Sequence, residues 1–441
     1  MVRARGLVVL ILAAFVAFAC GGNNNGGSAS KGTITIGVSL PLSGAEASQG
    51  TPTKNGVLFY VSQHPTLDGF TLKVVSKDYA VNGSPNAAQG AAQMQEFLAD
   101  STVLGVVGTF DSGVARAEIP LANQGYLAMV SPANTNPCLT KTVYIPAALR
   151  TNGQDVTCKD AGLPAPADLR KTYPDKNNYF RLATTDDLQG PANSLYAFNT
   201  LKLTKVAVIS NNSVYGKGIA DTFSAEFVKL GGTVVKRQDY DPANTNDFKA
   251  FLTSAKALGA QAIYYGGLAA DKGCVIRNQM TGIFPPGEAT PFLGGDGIAQ
   301  DPTCTRTAGQ NAVGIFGTVA SVNPDQVPTA ASTIAAFKAA YPTGSDYGSY
   351  TMVAYDCAGV IVAAIDRAIK ANNGNMPTRD AVRTQIAATS GYAGVTGTIG
   401  FNPAGDNSAE IVSLYEDKST DPNAAWAYIR AYDFNGADKL S

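Results

Sequence analysis

Short apolar runs rich in β-branched residues alternate along this chain with stretches of helical periodicity, in two successive blocks. Such alternation is typical of parallel sheets covered by helices on both faces. The sequence therefore predicts an α/β fold of two doubly wound, parallel-sheet lobes. The strands predicted from the two blocks are 33–39, 71–77, 103–107, 126–130, 179–183, 205–210, 233–238, 260–265 and 291–294.

The last third of the chain joins the two lobes. After a strand at 313–319 the pattern turns helical, and these helices need a sheet to cover, for which the first lobe is the natural candidate. The end of the chain returns to strands. We therefore expect three crossings between the lobes, which would form a hinge and let the lobes close over a ligand. The predicted division is 33–183 plus 323–400 for the N-terminal lobe, and 184–322 plus 401–441 for the C-terminal lobe.

The first residues predict export from the cytoplasm. Arg3 and Arg5 precede an apolar run at 6–19, so 1–19 is predicted to be a signal peptide. Cys20 follows at once and opens a polar, glycine-rich stretch at 20–32, which we interpret as a flexible tether. The arrangement resembles a bacterial lipoprotein leader, in which the cysteine is acylated. Residues 17–19 also fit an ordinary A-x-A cleavage site, so that alternative stays open.

The cysteine spacing agrees with export to an oxidising compartment. Cys138 and Cys158 flank one irregular segment, and Cys274 and Cys304 flank another, so we predict a disulfide within each pair. Cys357 falls in an apolar helical pattern and is expected to be a buried free thiol. No C-x-x-C spacing occurs, and no metal site is predicted.

Composition argues against several function classes. A formal net charge of −1 gives no reason to expect a nucleic-acid partner. The single histidine, His64, lies in a polar turn, so neither a serine–histidine–aspartate triad nor a histidine-containing zinc cluster is expected. Phosphate-binding GxxxxGK[ST] and GxGxxG motifs are absent from the sequence. We predict neither catalysis nor a cofactor.

Two neighbouring turns after predicted strands carry the first candidate ligand contacts. Ser112 and Gly113 follow the strand at 103–107, and Asn134 and Thr135 follow the strand at 126–130. Turns at the carboxyl edge of a parallel sheet are where open α/β folds bind ligands, and free backbone N–H groups there suit a carboxylate. The alternative is that Ser112 and Asn134 simply cap helices.

The second lobe has three polar or glycine-rich clusters at the predicted carboxyl ends of its strands, at 213–216, 263–267 and 294–297. Together with IGVSLPLSG at 36–44, SPANTNPCLT at 131–140 and FNPAGD at 401–406, they resemble the periplasmic binding proteins of branched-chain amino-acid ABC transporters. This resemblance runs from about Thr33 to the end of the chain. It implies the type I periplasmic binding fold.

The resemblance also implies a ligand site. Ser112 and Gly113, with Asn134 and Thr135, would hold a ligand carboxylate. Asp296 would meet an ammonium group, since a buried charge must be paired. Its alternative role is that of a plain turn residue. The remaining implied contacts are Tyr215 and Tyr265, which would close over the ligand, and Gln49. The glutamine would make the wall of the cleft above the ligand's side chain more polar.

Strand geometry qualifies one of these contacts. Only alternate side chains of a strand face one way, so one of Tyr264 and Tyr265 at most should reach the cleft, and we choose Tyr265. Both could also be ordinary strand residues, since strands favour tyrosine.

The implied function is that of a monomeric solute receptor of the cell envelope. It would capture a small amino acid between its lobes, deliver it to an ABC permease, and be held at the membrane through lipidated Cys20. The alternative is the same fold binding an amide, urea or an aromatic carboxylate, as a transport receptor or as a sensor. An enzyme using an Asp/Ser cleft is disfavoured because no histidine lies near any motif.

Overall fold

The computed structural model describes residues 30–424 and 426–440. The predicted signal peptide, Cys20 and most of the tether lie outside the described residues. The strands are β1 (Thr33–Leu40), β2 (Thr66–Leu67), β3 (Phe70–Asp78), β4 (Ala80–Val81), β5 (Ser84–Pro85), β6 (Val103–Gly108), β7 (Ala128–Ser131), β8 (Val143–Ile145), β9 (Val156–Thr157), β10 (Tyr179–Arg181), β11 (Lys205–Ser210), β12 (Thr233–Asp239), β13 (Ala262–Gly266), β14 (Phe292–Gly294), β15 (Ile315–Val319), β16 (Tyr392–Gly394), β17 (Gly397–Ile399), β18 (Ile411–Asp417) and β19 (Ala427–Asp433).

The α-helices are α1 (Ala47–Gln63), α2 (Ala87–Ala99), α3 (Ser112–Gln124), α4 (Pro166–Leu169), α5 (Asp186–Leu195), α6 (Val214–Lys229), α7 (Lys249–Ala257), α8 (Gly273–Gln279), α9 (Pro302–Ala308), α10 (Ala331–Ala340), α11 (Thr351–Ala371) and α12 (Arg379–Ala387).

Two sheets form the centres of the two predicted lobes. The first has the order β10-β7-β6-β1-β3-β2 and is parallel except for β2. The second has the order β12-β11-β13-β14-β15-β18-β19, with a parallel part from β12 to β15 and two antiparallel strands at its end. We call each sheet with the helices packed on it the first lobe and the second lobe. This is the predicted α/β architecture.

The chain crosses between the lobes three times, as predicted: after β10, after β15 and before β18. The three crossings are tied together at Thr184. Its N–H donates to the carbonyl of Ala320 (2.7 Å), and its hydroxyl donates to the carbonyl of Ile411 (2.7 Å). Connected crossings of this kind form a hinge about which two lobes can rotate.

Helix α11 forms much of the core of the first lobe, where it packs on α1 and against β6. The approach to α1 is close at Gly56, where an added Cβ would lie 2.0 Å from the carbonyl oxygen of Thr351. Helix α1 begins at Ala47 and includes Gly50 and Pro52, because packing overrides the low helix propensity of these two residues.

Both predicted disulfides are present, Cys138–Cys158 and Cys274–Cys304, and Cys357 is a buried free thiol, as predicted. The first disulfide links the turn that follows β7 to the segment after β9. Within 30–424 and 426–440, no helix combines the length and the apolar character that a membrane span requires.

Glu118 of α3 gives the first lobe a testable dependence on pH. Its side chain is fully buried and accepts a hydrogen bond from the Ser39 hydroxyl (2.6 Å), and burial raises its pKa to about 8. The folded protein therefore keeps this proton above the unfolded pKa of about 4.3. Its stabilising contribution is complete below that pKa and declines as the pH rises towards the folded pKa.

We expect the Glu118→Gln variant to lose this decline. Relative to the variant, the wild type should lose about 2–3 kcal/mol of unfolding free energy between pH 5 and pH 7, from the slope of about 1.4 kcal/mol per pH unit for one proton. Urea titrations of both proteins at the two pH values measure the difference. Parallel pH profiles would show that Glu118 is ionised in the folded protein.

Candidate functional site

A cavity of about 580 Å³ lies between the two lobes. The first lobe contributes the start of α3 and residues around β5, and the second lobe contributes the start of α6 and the loops after β12 and β13. The cavity thus lies at the carboxyl edges of both sheets, where open α/β folds bind ligands. The lining residues are Ser84, Pro85, Ala87, Asp111, Ser112, Gly113, Val114, Ser213, Val214, Tyr215, Asp241, Pro242, Ala243, Leu268, Ala270, Asp271 and Lys272.

The start of α3 presents hydrogen-bond donors to this cavity. The N–H of Ala115 donates to the carbonyl of Asp111, so the N–H groups of Ser112 and Gly113 have no partner within the helix. An added Cβ at Gly113 would meet no atom within 4 Å, so a ligand can approach this backbone closely. This end of a helix favours a negatively charged group.

The alternative reading of Ser112 as a helix cap is wrong, because Ser112 is the first residue of α3 and Asp111 occupies the capping position. The Ser112 hydroxyl oxygen accepts a hydrogen bond from the N–H of Asn136 (3.4 Å). Its own proton is then available to donate to a ligand.

Asp296 lies in the second lobe, beside a smaller cavity of about 10 Å³ that also touches Ser112 and Tyr215. Its carboxylate accepts hydrogen bonds from the hydroxyls of Tyr215 (2.8 Å) and Tyr350 (2.6 Å). Tyr350 precedes α11 and belongs to the first lobe, so Asp296 links the lobes. Burial raises the pKa of Asp296, and the two tyrosine hydrogen bonds oppose this rise.

Asn134 and Thr135 line neither cavity. The Asn134 side chain accepts hydrogen bonds from Thr109 (3.1 Å) and Tyr179 (2.8 Å) and donates to the carbonyl of Phe110 (2.7 Å), so it fixes the turn before α3. Thr135 is buried beside the second lobe, where its carbonyl accepts from the N–H of Asp186. The Asn134 side chain thus supports the turn in this structure, and direct ligand contact by Asn134 and Thr135 stays a prediction.

Tyr265 and Gln49 also lie away from the cavities. Tyr265 is completely buried in the second lobe, where its hydroxyl donates to the carbonyl of Leu268 (3.0 Å), beneath the cavity wall. The Gln49 amide of α1 lies 3.5 Å from the carbonyl of Ala299, a contact between the lobes. Both faces of this sheet are buried, so alternation along the strand does not distinguish the cleft from the core, and ligand contacts by Tyr265 and Gln49 stay predictions.

Several acidic residues near the site were not predicted. Asp111 of the first lobe and Asp271 of the second line the larger cavity, and the side chain of Glu46, before α1, is hydrogen-bonded to that of Asp111. Burial raises the pKa of Asp111 to about 7, and Asp271 adds to the rise. Burial also raises the pKa of Glu46, as do the charges of Asp111 and Asp271. Asp111 could have been found from its place beside Ser112, whereas nothing in the local sequence relates Glu46 to the other two.

Across the described ranges, no three histidine, cysteine or acidic side chains are grouped so as to hold a metal ion. The two cavities offer helix N–H groups and hydroxyls at the start of α3, and acidic side chains around them. These groups suit a small organic ligand that carries both charges.

Comparison with known proteins agrees with this geometry. Residues 33–410 match the periplasmic binding protein family. A Leu/Ile/Val-binding protein homologue of Brucella abortus is 27% identical over 394 residues, covering 88% of this chain and 92% of that protein.

Among solved structures, a leucine-binding protein of Thermotoga maritima has a TM-score of 0.74 at 22% identity, covering 92% of this chain and all of that one. An ABC-transporter solute-binding protein of R. palustris in complex with 4-hydroxybenzoate has a TM-score of 0.71 at 19% identity, covering 91% and 97% of the two chains. These likenesses confirm the predicted fold. The match over 33–410 shows that the chain belongs to the periplasmic binding protein family.

Proposed function

We propose that this protein binds a small α-amino acid between its lobes and delivers it to an ABC permease. The proposal depends on one observation. Two adjoining cavities, which share Ser112 and Tyr215, have hydrogen-bond donors on the first lobe and an acidic side chain on the second. Donors at the start of α3 suit the ligand carboxylate, and Asp296 suits its ammonium. The relatives named for branched-chain amino acids support this ligand class.

We further propose that the protein acts at the cell envelope as a monomer anchored through acylated Cys20. The apolar run before Cys20 and the polar tether after it support this anchoring. Membership of a periplasmic binding family agrees with export and with binding rather than catalysis.

The mechanism we infer is ligand-stabilised closure of the lobes. Direct contacts already join them: the Asn136 amide donates to the carbonyl of Val214 (2.9 Å), and the Ser48 hydroxyl donates to Asp301 (3.1 Å). A ligand that touches both lobes binds the closed state better than the open state and so shifts the population towards it. The permease would then recognise the closed form.

A thermal-shift screen tests the proposed ligand class. We expect leucine, isoleucine or valine to raise the melting temperature, because a ligand bound only to the folded protein stabilises it. The matched controls are leucinamide, which lacks the carboxylate, and 4-methylpentanoate, which lacks the ammonium. Equal stabilisation by either control would contradict recognition of both charged groups.

An aromatic carboxylate is the second candidate ligand, and one contact favours it. Asp296 already accepts hydrogen bonds from two tyrosines. Its carboxylate therefore keeps hydrogen-bond donors even when the ligand has no ammonium group. The R. palustris relative with bound 4-hydroxybenzoate supports the same alternative. In the screen, stabilisation by 4-hydroxybenzoate and not by any amino acid would select it.

Ser112→Ala should weaken binding of the stabilising ligand by about 1–3 kcal/mol, the range for a hydrogen bond to a charged group. Isothermal titration calorimetry measures the change in Kd. Ser62→Ala is a matched control, since that hydroxyl donates to the carbonyl of Phe59 (2.8 Å) within α1, away from the cavities. Equal affinity of Ser112→Ala and wild type would remove this hydroxyl from the site.

A further inference from the structure

The segment between β7 and β10 extends from the first lobe and lies along helix α6 of the second lobe. Both of the strands that flank it belong to the first sheet, and it contains the antiparallel pair of β8 and β9. Strand β8 and the short 3-10 helix Ala147–Leu149 pack on α6. We call residues 141–163 the strap. It joins the two lobes at a place outside the three hinge crossings.

The root of the strap is fixed to the first lobe. Leu139, which comes just before the strap, is fully buried in the same apolar cluster as Ile119 of α3 and Leu169 of α4. The disulfide between Cys138 and Cys158 ties the far arm of the strap back to this point. Both arms are therefore held at the first lobe, so the strap belongs to that lobe.

The tip of the strap makes polar contacts with the second lobe. The Tyr144 side chain is buried, and its hydroxyl donates to the carboxylate of Asp221 on α6 (2.9 Å). Asp221 is also paired with Arg237 of β12 (3.0 Å), so the hydroxyl meets a fixed, charged acceptor. At the end of α6, the Lys229 ammonium donates to the carbonyl of Ala148. These contacts run along the helix and away from the cavities.

The approach of the first lobe to α6 is close at Gly218. An added Cβ there would lie 2.9 Å from the Asn136 side-chain nitrogen and 3.7 Å from a ring carbon of Tyr144. The Asn136 side chain is held in place, because it donates to the carbonyl of Val214 (2.9 Å) and accepts from the N–H of Cys138 (3.0 Å). Glycine at position 218 therefore allows the two lobes to meet here.

We propose that the strap holds the lobes closed over the ligand, with Tyr144 as a positioning residue that strengthens binding without touching the ligand. The inference rests on the proposed function, since it concerns closure over that ligand. Val214 and Tyr215, at the start of α6, line the larger cavity, whereas the strap lines neither of the two cavities. Contacts that form only in the closed state favour that state, to which the ligand binds better.

The Tyr144→Phe variant removes the hydroxyl and keeps the ring. We expect the Kd for leucine to rise about tenfold, the effect of losing one hydrogen bond to a charged group, mostly through faster dissociation. Calorimetry and stopped-flow measurements give the Kd and the two rate constants. The matched control is Tyr355→Phe, because that hydroxyl donates to Gln63 within the first lobe (3.0 Å). A Kd equal to that of the wild type in Tyr144→Phe overturns the inference.

The Gly218→Ala variant separates closure from folding. Alanine is a better helix former than glycine, so the melting temperature of the empty protein should not fall. The added methyl group meets Asn136 only when the lobes are closed, so the Kd for leucine should rise at least threefold, about 0.7 kcal/mol. Small-angle X-ray scattering should give a larger radius of gyration for the empty variant than for the empty wild type. An unchanged Kd contradicts the proposed role of this contact, whatever the melting temperature.

The disulfide provides a third test. In the double variant Cys138→Ser/Cys158→Ser the strap is free to stay on α6 when the lobes separate, so its contacts no longer favour closure. We expect the Kd for leucine to rise, and Tyr144→Phe to cause no further rise in this background. The double-mutant cycle measures that coupling. Additive effects of the two changes would contradict a strap anchored at the first lobe.

The outcomes also separate this inference from the proposed function. Leucine binding with one Kd in the wild type, Tyr144→Phe and Gly218→Ala overturns the strap's role and leaves the proposed function in place. A wild type that binds neither leucine nor 4-hydroxybenzoate contradicts the proposed function. X-ray scattering of the empty proteins then tests the strap alone: a wild type more compact than Gly218→Ala supports it, and equal radii of gyration overturn it.

Discussion

Replacing Arg181 by methionine should lower the free energy of unfolding by about 3–5 kcal/mol, the usual effect of removing one partner of a buried ion pair. Arg181 is completely buried, and its Nε donates to Asp406 (2.7 Å). The same guanidinium donates to the carbonyls of Asn134 (3.2 Å) and Asn136 (2.8 Å) and to the Thr140 hydroxyl. Methionine fills similar space but removes the charge that pairs with the buried Asp406 carboxylate and the hydrogen bonds to the carbonyls of Asn134 and Asn136.

Chemical denaturation measures this loss, and Lys370→Met is a matched control. Lys370 pairs with Asp366 on the exposed surface of α11 (2.7 Å), where such pairs contribute about 0.3–0.5 kcal/mol.

The buried ion pair of Arg181 and Asp406 also predicts a pH effect. Burial tends to raise the pKa of Asp406, but the charges of Arg181 and Lys141 outweigh it, so the pKa is lowered.

The lowered pKa means that Asp406 stabilises the fold above its unfolded pKa of about 3.9, and that this contribution is lost as the pH falls through the folded pKa. Similar unfolding energies for Arg181→Met and Lys370→Met at pH 7 would show that the buried pair does not hold the hinge region together.

Asp296→Asn should lower the affinity for a zwitterionic amino acid more than 100-fold, which corresponds to about 3 kcal/mol or more for an ammonium left without its buried partner. Asparagine keeps the size of the side chain and one oxygen acceptor but loses the charge. The buried Asp296 carboxylate is hydrogen-bonded by Tyr215, Tyr350 and Gln189, and the asparagine oxygen can still accept from such donors, so we expect little change in the melting temperature of the empty protein.

Calorimetry with leucine, together with the melting temperature of the empty variant, tests this prediction. Asp241→Asn is a suitable control, since Asp241 lines the larger cavity and does not line the smaller one. Retained affinity in Asp296→Asn would assign the ligand ammonium to another acid, whereas a large drop in melting temperature would give Asp296 a structural role in holding the lobes together.

Local pattern was sufficient to predict most of the fold. Strand β11 has the predicted limits, 205–210, because an apolar run between a turn and a helix leaves little choice of boundary. Ser112 and Gly113, which line the larger cavity, could be proposed from the sequence because the turn before them follows a buried strand. Tyr215, at the start of α6, was found through the family resemblance.

Contacts between distant parts of the chain could not be predicted. Asp296 and Tyr350 are 54 residues apart, and Asn134 meets Tyr179 across 45 residues, so nothing local shows that either pair meets. Tyr264 and Tyr265 illustrate a different limit. Tyr264 stacks on Phe223 of α6 (3.7 Å between ring centroids), whereas Tyr265 lies on the opposite face beside Phe292. Both faces of this sheet are covered by protein, and period-two alternation does not distinguish two buried faces.

The crystal structure of the protein with the amino acid that stabilises it most tests the central claim directly. The account predicts one ligand between the lobes, with its carboxylate within hydrogen-bond distance of the Ser112 and Gly113 N–H groups and its α-ammonium against Asp296. A ligand that contacts only one lobe, or that lies away from the start of α3, would contradict it.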